Sequence, residues 1–194
     1  MDGLLCLANL MSMKEVALSS EMLNEQATHL FSNVFVLYFS YSAQVDLDEC
    51  LIQFLYACSR YKEYQALIRD RVPLMLYLAE RQLAEGQHHT CEACQSRIFS
   101  ALHNVTEIGG VATCRLVQVP ALAKLTLKVL AHKKENHEYI LKTLINILVA
   151  RPESFSTLPQ MGEILPHLEQ QYYSLRPLAQ QYTLRFVYVR VGIQ

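Results

Sequence analysis

The sequence predicts an all-α protein built from stacked helical repeats. Three observations carry that expectation. Apolar residues recur at spacings of three and four along most of the chain, no succession of alternating strands joined by hairpin turns is present, and two sequence landmarks return at a near-constant interval. The 194 residues suit one domain, 1–194, or one segment of a longer array. With 52% hydrophobic residues and only six Gly and six Pro, a disordered tail and a collagen-like fibre are excluded. A chain of this length buries about 70% of its unfolded surface, so neither metal nor disulfide is needed to hold a core. Seventeen basic against eighteen acidic side chains leave a formal charge of −1, which calls for neither nucleic acid nor an anionic membrane as partner.

Taken in order, Met1 to Leu10 lacks the basic start of a secretory signal, and Asp2 argues against one. The most apolar stretch runs only from Leu30 to Ala43 and is interrupted by Ser32, Asn33, Ser40 and Ser42. A bilayer span needs about 20 apolar residues, so a buried helix is expected here, with Phe31, Phe35, Tyr38, Phe39 and Tyr41 in the core. Leu47, Cys50, Leu51, Phe54, Leu55 and Cys58 mark one amphipathic helix, the run Leu122 to Leu130 a second, and Ile140, Leu141, Leu144, Ile145 and Leu148 a third. Breakers separate them at Val72-Pro73, Glu85-Gly86, Gly109-Gly110, Val119-Pro120, Arg151-Pro152 and Arg176-Pro177. The tail Tyr182 to Val191, rich in β-branched and aromatic residues, reads alone as a strand.

The first landmark is an apolar helix core carrying Asn: Asn9, Asn104 and Asn146, with Ala57 in the equivalent place between the first two. The second is Pro followed by an apolar helix, at Pro73 and Pro120, and it advances by the same step as Ala57 to Asn104. These steps lie near the roughly 40–47 residues of armadillo and HEAT repeats. Repeating the step from Asn104 to Asn146 once more reaches Tyr188, so the tail is also expected as the helix of a final partial repeat. The segment Ala101 to Leu130 resembles the junction of two armadillo repeats, with Asn104 as the inward Asn of a third helix, Gly109-Gly110 as the inter-repeat turn and Pro120 at the start of a second helix. The resemblance to the armadillo-like (HEAT-type) superfamily extends over residues 44–168. It implies a right-handed α-solenoid of about three to four repeats, with partial repeats at both ends. Such arrays need polar capping helices, so the helix near Leu4 to Met11 and the tail are expected to be covered by flanking sequence or partner subunits. Ala57 departs from the Asn pattern, Val72 and Val119 replace the usual Gly before Pro, and Trp is missing. The residues four before the landmarks are Leu5, Gln53, Ser100 and Lys142, so the Trp ladder that clamps basic peptides in nuclear-import adaptors is not there.

His88-His89-Thr90-Cys91-Glu92-Ala93-Cys94 has the composition of a zinc site, but no second Cys-x-x-Cys follows, and only His103 and Cys114 are left to complete four ligands. The six cysteines are read as reduced, mostly buried thiols, and no metal or cofactor is expected. No G-x-S-x-G elbow is present, and Gly109-Gly110 lacks the Lys-Ser/Thr of a phosphate loop, so no enzyme is expected. The basic stretch Lys124, Lys128, His132, Lys133, Lys134 and His137 reads as a solvated helix face and the turn that follows it. The function that follows is a non-catalytic protein-interaction scaffold, a structural subunit of a larger cytoplasmic assembly; among armadillo-like proteins, those of cytoskeletal and ciliary assemblies fit that role. Its partners are expected on a concave helical surface, met by residues of the inner helices: Gln53, Arg60, Ser100, Asn104, Glu107, Lys142 and Asn146. An Asn amide both donates and accepts, so Asn104 and Asn146 suit either an extended peptide backbone or a neighbouring helix. The alternative is a regulatory subunit gripping a folded GTPase or enzyme through a broad charged patch; an RNA-binding array would need an inner face rich in Arg, Lys and aromatics.

Overall fold

Leu51, Ile52, Phe54, Leu55 and Cys58 fall on one side of a helix, and all five are fully buried there. In the computed structural model, which describes residues 29, 32–36, 45–84, 92–132, 136–154 and 159–192, this helix is α1 (Val45–Ser59). It is followed by α2 (Gln65–Ile68), α3 (Val72–Gln82), α4 (Glu92–Ile108), α5 (Gly110–Cys114), α6 (Val119–His132), α7 (His137–Ala150), α8 (Gln160–Gln171) and α9 (Pro177–Gly192), with short 3-10 turns between several of them. No β-strand occurs among the described residues. Pro73 and Pro120 each stand second in their helices, α3 and α6, where the fixed φ of proline suits the first turn and its missing N–H removes no helical bond. The two Val-Pro pairs thus each open a helix.

The helices pack in two rows. α1 lies against α4, α4 against α7 and α7 against α9, so the positions 57, 104, 146 and 188 fall on four successive neighbours. In the second row α3 meets α6 and α6 meets α8, and the rows are joined where α3 packs on α4 and α6 on α7. Phe54, Phe99 and Phe186, one each from α1, α4 and α9, are the largest fully buried side chains. Each such burial is worth about 1.5–3 kcal/mol. The tail is helical because α9 turns Ala179, Thr183 and Phe186 inward, a 4-3 spacing that only a helix delivers to one neighbour. Packing on α7 outweighs the strand preference of its Tyr, Phe and Val residues. The opposite side of α9 leaves Leu184, Val187, Tyr188 and Val191 exposed at i, i+3, i+4 and i+7.

Polar side chains repeat along the first row. Asn104 Nδ2 donates to Ser59 Oγ (3.2 Å) and Asn146 Nδ2 donates to Thr106 Oγ1 (3.2 Å), joining α4 to α1 and α7 to α4. Both hydroxyls are buried and pass their own protons to carbonyls of the preceding turn: Ser59 to Tyr56 (2.8 Å), Thr106 to His103 (2.9 Å) or Leu102 (3.0 Å). A hydroxyl both donates and accepts, and here both capacities are used. Between the rows, Arg81 of α3 pairs at 3.1 Å with Asp48 of α1, whose carboxylate is 2% exposed. Arg151, just after α7, donates to the carbonyls of Cys114, Arg115 and Val117 at and just beyond the end of α5.

Several expectations fall outside the described residues: the helix at Leu4 to Met11 with Asn9, the residues Phe31, Tyr38, Phe39 and Tyr41, the run His88 to Cys91, and Lys133-Lys134. Of the aromatic cluster, Phe35 is described and is core, edge-on to Phe54 at 6.5 Å with the Arg71 guanidinium 4.3 Å from its ring centre. Of the basic stretch, Lys124 and Lys128 lie one turn apart on the exposed side of α6, and His137 departs from it. Lys124 is exposed, Lys128 reaches Glu80 of α3 at 3.2 Å, and His137 is buried with Nε2 donating to the Val129 carbonyl at 3.0 Å.

Candidate functional site

The residues expected to meet a partner lie on α1, just beyond it, on α4 and on α7. On α1, Gln53 Oε1 accepts from Arg97 Nη1 of α4 at 3.4 Å, and Arg60, just beyond α1, is exposed over the rings of Tyr56 and Tyr61, 5.9 Å from each centre. On α4, Ser100 is buried, Asn104 donates an amide N–H to Ser59, and Glu107 is 63% exposed with its carboxylate 3.3 Å from His103 Nε2. On α7, Lys142 is held by Glu138 one turn earlier at 2.6 Å and lies over the Tyr182 and Tyr139 rings at 4.7 and 5.7 Å. Asn146 donates in the same way to Thr106. Both Asn amides therefore hold neighbouring helices through Nδ2, and their carbonyl oxygens take no part in that bond.

Glu107, Lys142 and Asn146 come together. With His103, Ile145, Tyr182 and Arg185 they line an open cleft of about 270 Å³ between α4, α7 and α9. Three of the seven expected residues thus share one cavity. Gln53 of α1, Arg60 just beyond it, and Ser100 and Asn104 of α4 do not line it.

Charge in the cleft is unevenly distributed. Burial holds the His103 imidazole below its ordinary pKa; Glu107 and Glu138 pull the other way, while Lys142 adds to the lowering. Burial also works against the Lys142 ammonium, but the hydrogen bonds to Glu138 and Tyr182 outweigh it and keep the pKa above the usual lysine value. At neutral pH the cleft therefore holds a neutral His103, a Lys142 charge already faced by Glu138, a Glu107 carboxylate against His103, and Arg185. Arg185 is exposed and makes no hydrogen bond or ion pair among the described residues.

His103, Tyr182 and Arg185 were not among the expected residues. His103 immediately precedes Asn104, and Tyr182 and Arg185 sit three apart in a stretch whose composition reads as strand; a helical period across the tail places them on one edge. The neighbouring hydroxyl and thiol are committed to backbone carbonyls: Thr106 to His103 or Leu102, and Cys114 to Thr106 (3.6 Å) and Asn146 (3.8 Å). Burial raises the Cys114 thiol to about 11, although Arg151 lowers it in part. Cys94 is buried in the first turn of α4, and among the described residues no three of His, Cys, Asp and Glu are grouped to hold a metal ion. Nor is any described helix long and apolar enough to cross a membrane. What this arrangement offers is polar recognition: one open carbonyl, one open guanidinium and one carboxylate around a shallow hollow.

No protein-family model, curated protein or solved structure matches the chain.

Proposed function

We propose that the chain is an armadillo-like helical array acting as a non-catalytic protein-interaction scaffold, a structural subunit of a larger assembly. The observation that carries this reading is the gathering of Glu107, Lys142 and Asn146, from two neighbouring helices of one row, into a single polar cleft with Tyr182 and Arg185 of the next. Neighbour-on-neighbour packing of α1, α4, α7 and α9 supports an array, since each repeat of such a protein contacts only the ones beside it. The repeated Asn-to-hydroxyl bonds, at sequence separations of 45 and 40, support a common repeat unit. Along the row the outward side chains are mixed in sign, Arg60, Arg97, Lys142 and Arg185 against Glu107 and Glu138. Such a surface favours a protein partner over a nucleic acid, whose phosphates need a consistently basic track.

The test is affinity purification from cells with quantitative mass spectrometry, using three baits: the unaltered chain, an Arg60→Glu plus Glu107→Lys variant on the α1–α4 edge, and Lys124→Glu on the exposed side of α6. A stoichiometric partner should be lost with the first variant and kept with the second. A partner profile indifferent to both variants, or no stoichiometric partner at all, would overturn the reading.

A further inference from the structure

The cleft between α4, α7 and α9 has an asymmetry that identifies what it would hold. Of its charged groups, Lys142 is bonded to Glu138 at 2.6 Å, and Glu107 is bonded to His103 at 3.3 Å. Arg185 has no such partner among the described residues, although its side chain lines the same hollow. A guanidinium presents a planar fork of donors that matches a carboxylate in two parallel hydrogen bonds, which makes it the side chain best suited to anchor an acid. Beside it, Asn146 has donated from Nδ2 to Thr106, and among the described residues nothing is hydrogen-bonded to its Oδ1. That carbonyl is open to accept one N–H. The floor is Ile145, 2% exposed, which offers no competing polar atom from its side chain.

We propose that this cleft docks an acidic side chain, Asp or Glu, from an extended segment of a partner protein. Arg185 is the anchor for the carboxylate, and Asn146 Oδ1 accepts a backbone N–H of the same segment. The proposal rests on the scaffold reading and specifies one of its contacts. A single charge is favoured over a phosphate because only one cation is uncommitted, and a dianion would share the hollow with the Glu107 carboxylate. The volume of about 270 Å³ suits one side chain with its flanking backbone, not a folded domain, so the remainder of the segment would lie along the outward edges of the row.

The probe is a phage-displayed library of random dodecapeptides panned on the full chain, the enriched peptides then being synthesised and titrated. Enriched peptides should share one Asp or Glu, and changing that residue to Asn or Gln should weaken binding at least tenfold. Arg185→Glu should weaken it by as much or more, and a peptide with Lys in place of the acid should recover affinity for Arg185→Glu alone. Arg185→Gln, checked by circular dichroism, separates loss of the anchor from loss of fold. Peptides that bind without an acid, or acid-bearing peptides indifferent to Arg185→Glu, would overturn the anchor while leaving the scaffold reading to the cellular test above. Tighter binding when phosphoserine replaces the acid would overturn the choice of carboxylate. A library that yields no binder would overturn an extended-segment site in this cleft.

Discussion

Asn146 shows how a single side chain can be divided between structure and recognition. Its amide nitrogen joins α7 to α4 through Thr106, and the residue also lines the cleft with its carbonyl outside that bond. Replacing it with Ala should cost about 1 kcal/mol, the ordinary net value of one hydrogen bond, because Thr106 Oγ1 keeps its own backbone acceptors. Urea denaturation of Asn146→Ala, Thr106→Val and the double variant checks this. The two single effects should sum to more than the double effect, and strict additivity would remove the bond from the account. His103 gives the cleft a pH dependence with a definite sign. Its folded pKa is depressed, so the unfolded chain binds the proton more readily. Stability should be full above about 6.5, the unfolded value, and decline as pH falls toward the folded pKa, by about 1.4 kcal/mol for each unit of depression. Glu107 one turn along the same helix and Glu138 on α7 soften the effect, and Lys142 sharpens it. Denaturation at pH 7 and pH 5 should show His103→Gln losing less stability than the unaltered chain over that interval. Parallel losses would mean another group is responsible.

At the scale of an element, the turn between α4 and α5 uses two glycines for two different reasons. Gly109 has an ordinary φ of −76°, but a Cβ there would meet the Thr113 side chain and come within 2.7 Å of the Val105 carbonyl. Gly110 has open space around it but φ of +55°, the left-handed region. Gly109→Ala should therefore destabilise by about 1–3 kcal/mol through crowding and Gly110→Ala by about 1–2 kcal/mol through backbone conformation. Gly162→Ala, in open space near the start of α8, should instead stabilise by up to about 1 kcal/mol. Thermal denaturation of the three variants distinguishes these cases. The Gly pair was legible in the sequence as a turn, and the Val-Pro pairs as helix starts, because both signals are local. The tail was legible only through the landmark phase, since its composition favours a strand and the deciding force is packing of Phe186 on the preceding helix of the row. The same reason hid part of the cleft. Glu107, Lys142 and Asn146 follow from the phase, but Tyr182 and Arg185 belong to an element whose helicity only tertiary contacts decide. Nor does a sequence reveal which half of an Asn amide a neighbouring helix will take.

For the molecule as a whole, packing by neighbours implies unequal local stability. α4 and α7 are each packed between two partners in the first row, while α9 rests mainly on α7. Native-state hydrogen exchange should find α9 opening at a lower free energy than α4 or α7, with the amides around Ile98 to Leu102 and Leu141 to Ile145 among the slowest. Uniform protection across all four helices would argue for a single cooperative unit. The Asn-to-hydroxyl bonds have a further consequence. The bonded residues are 45 apart in one pair and 40 in the other, yet the amide-to-hydroxyl distance is 3.2 Å in both. The pin between neighbouring helices thus recurs at the same distance although the length of chain between the bonded residues differs. A chain pinned in this way can lengthen or shorten its connections over evolutionary time without disturbing the surface that the helices jointly present, because the tolerance is confined to the loops.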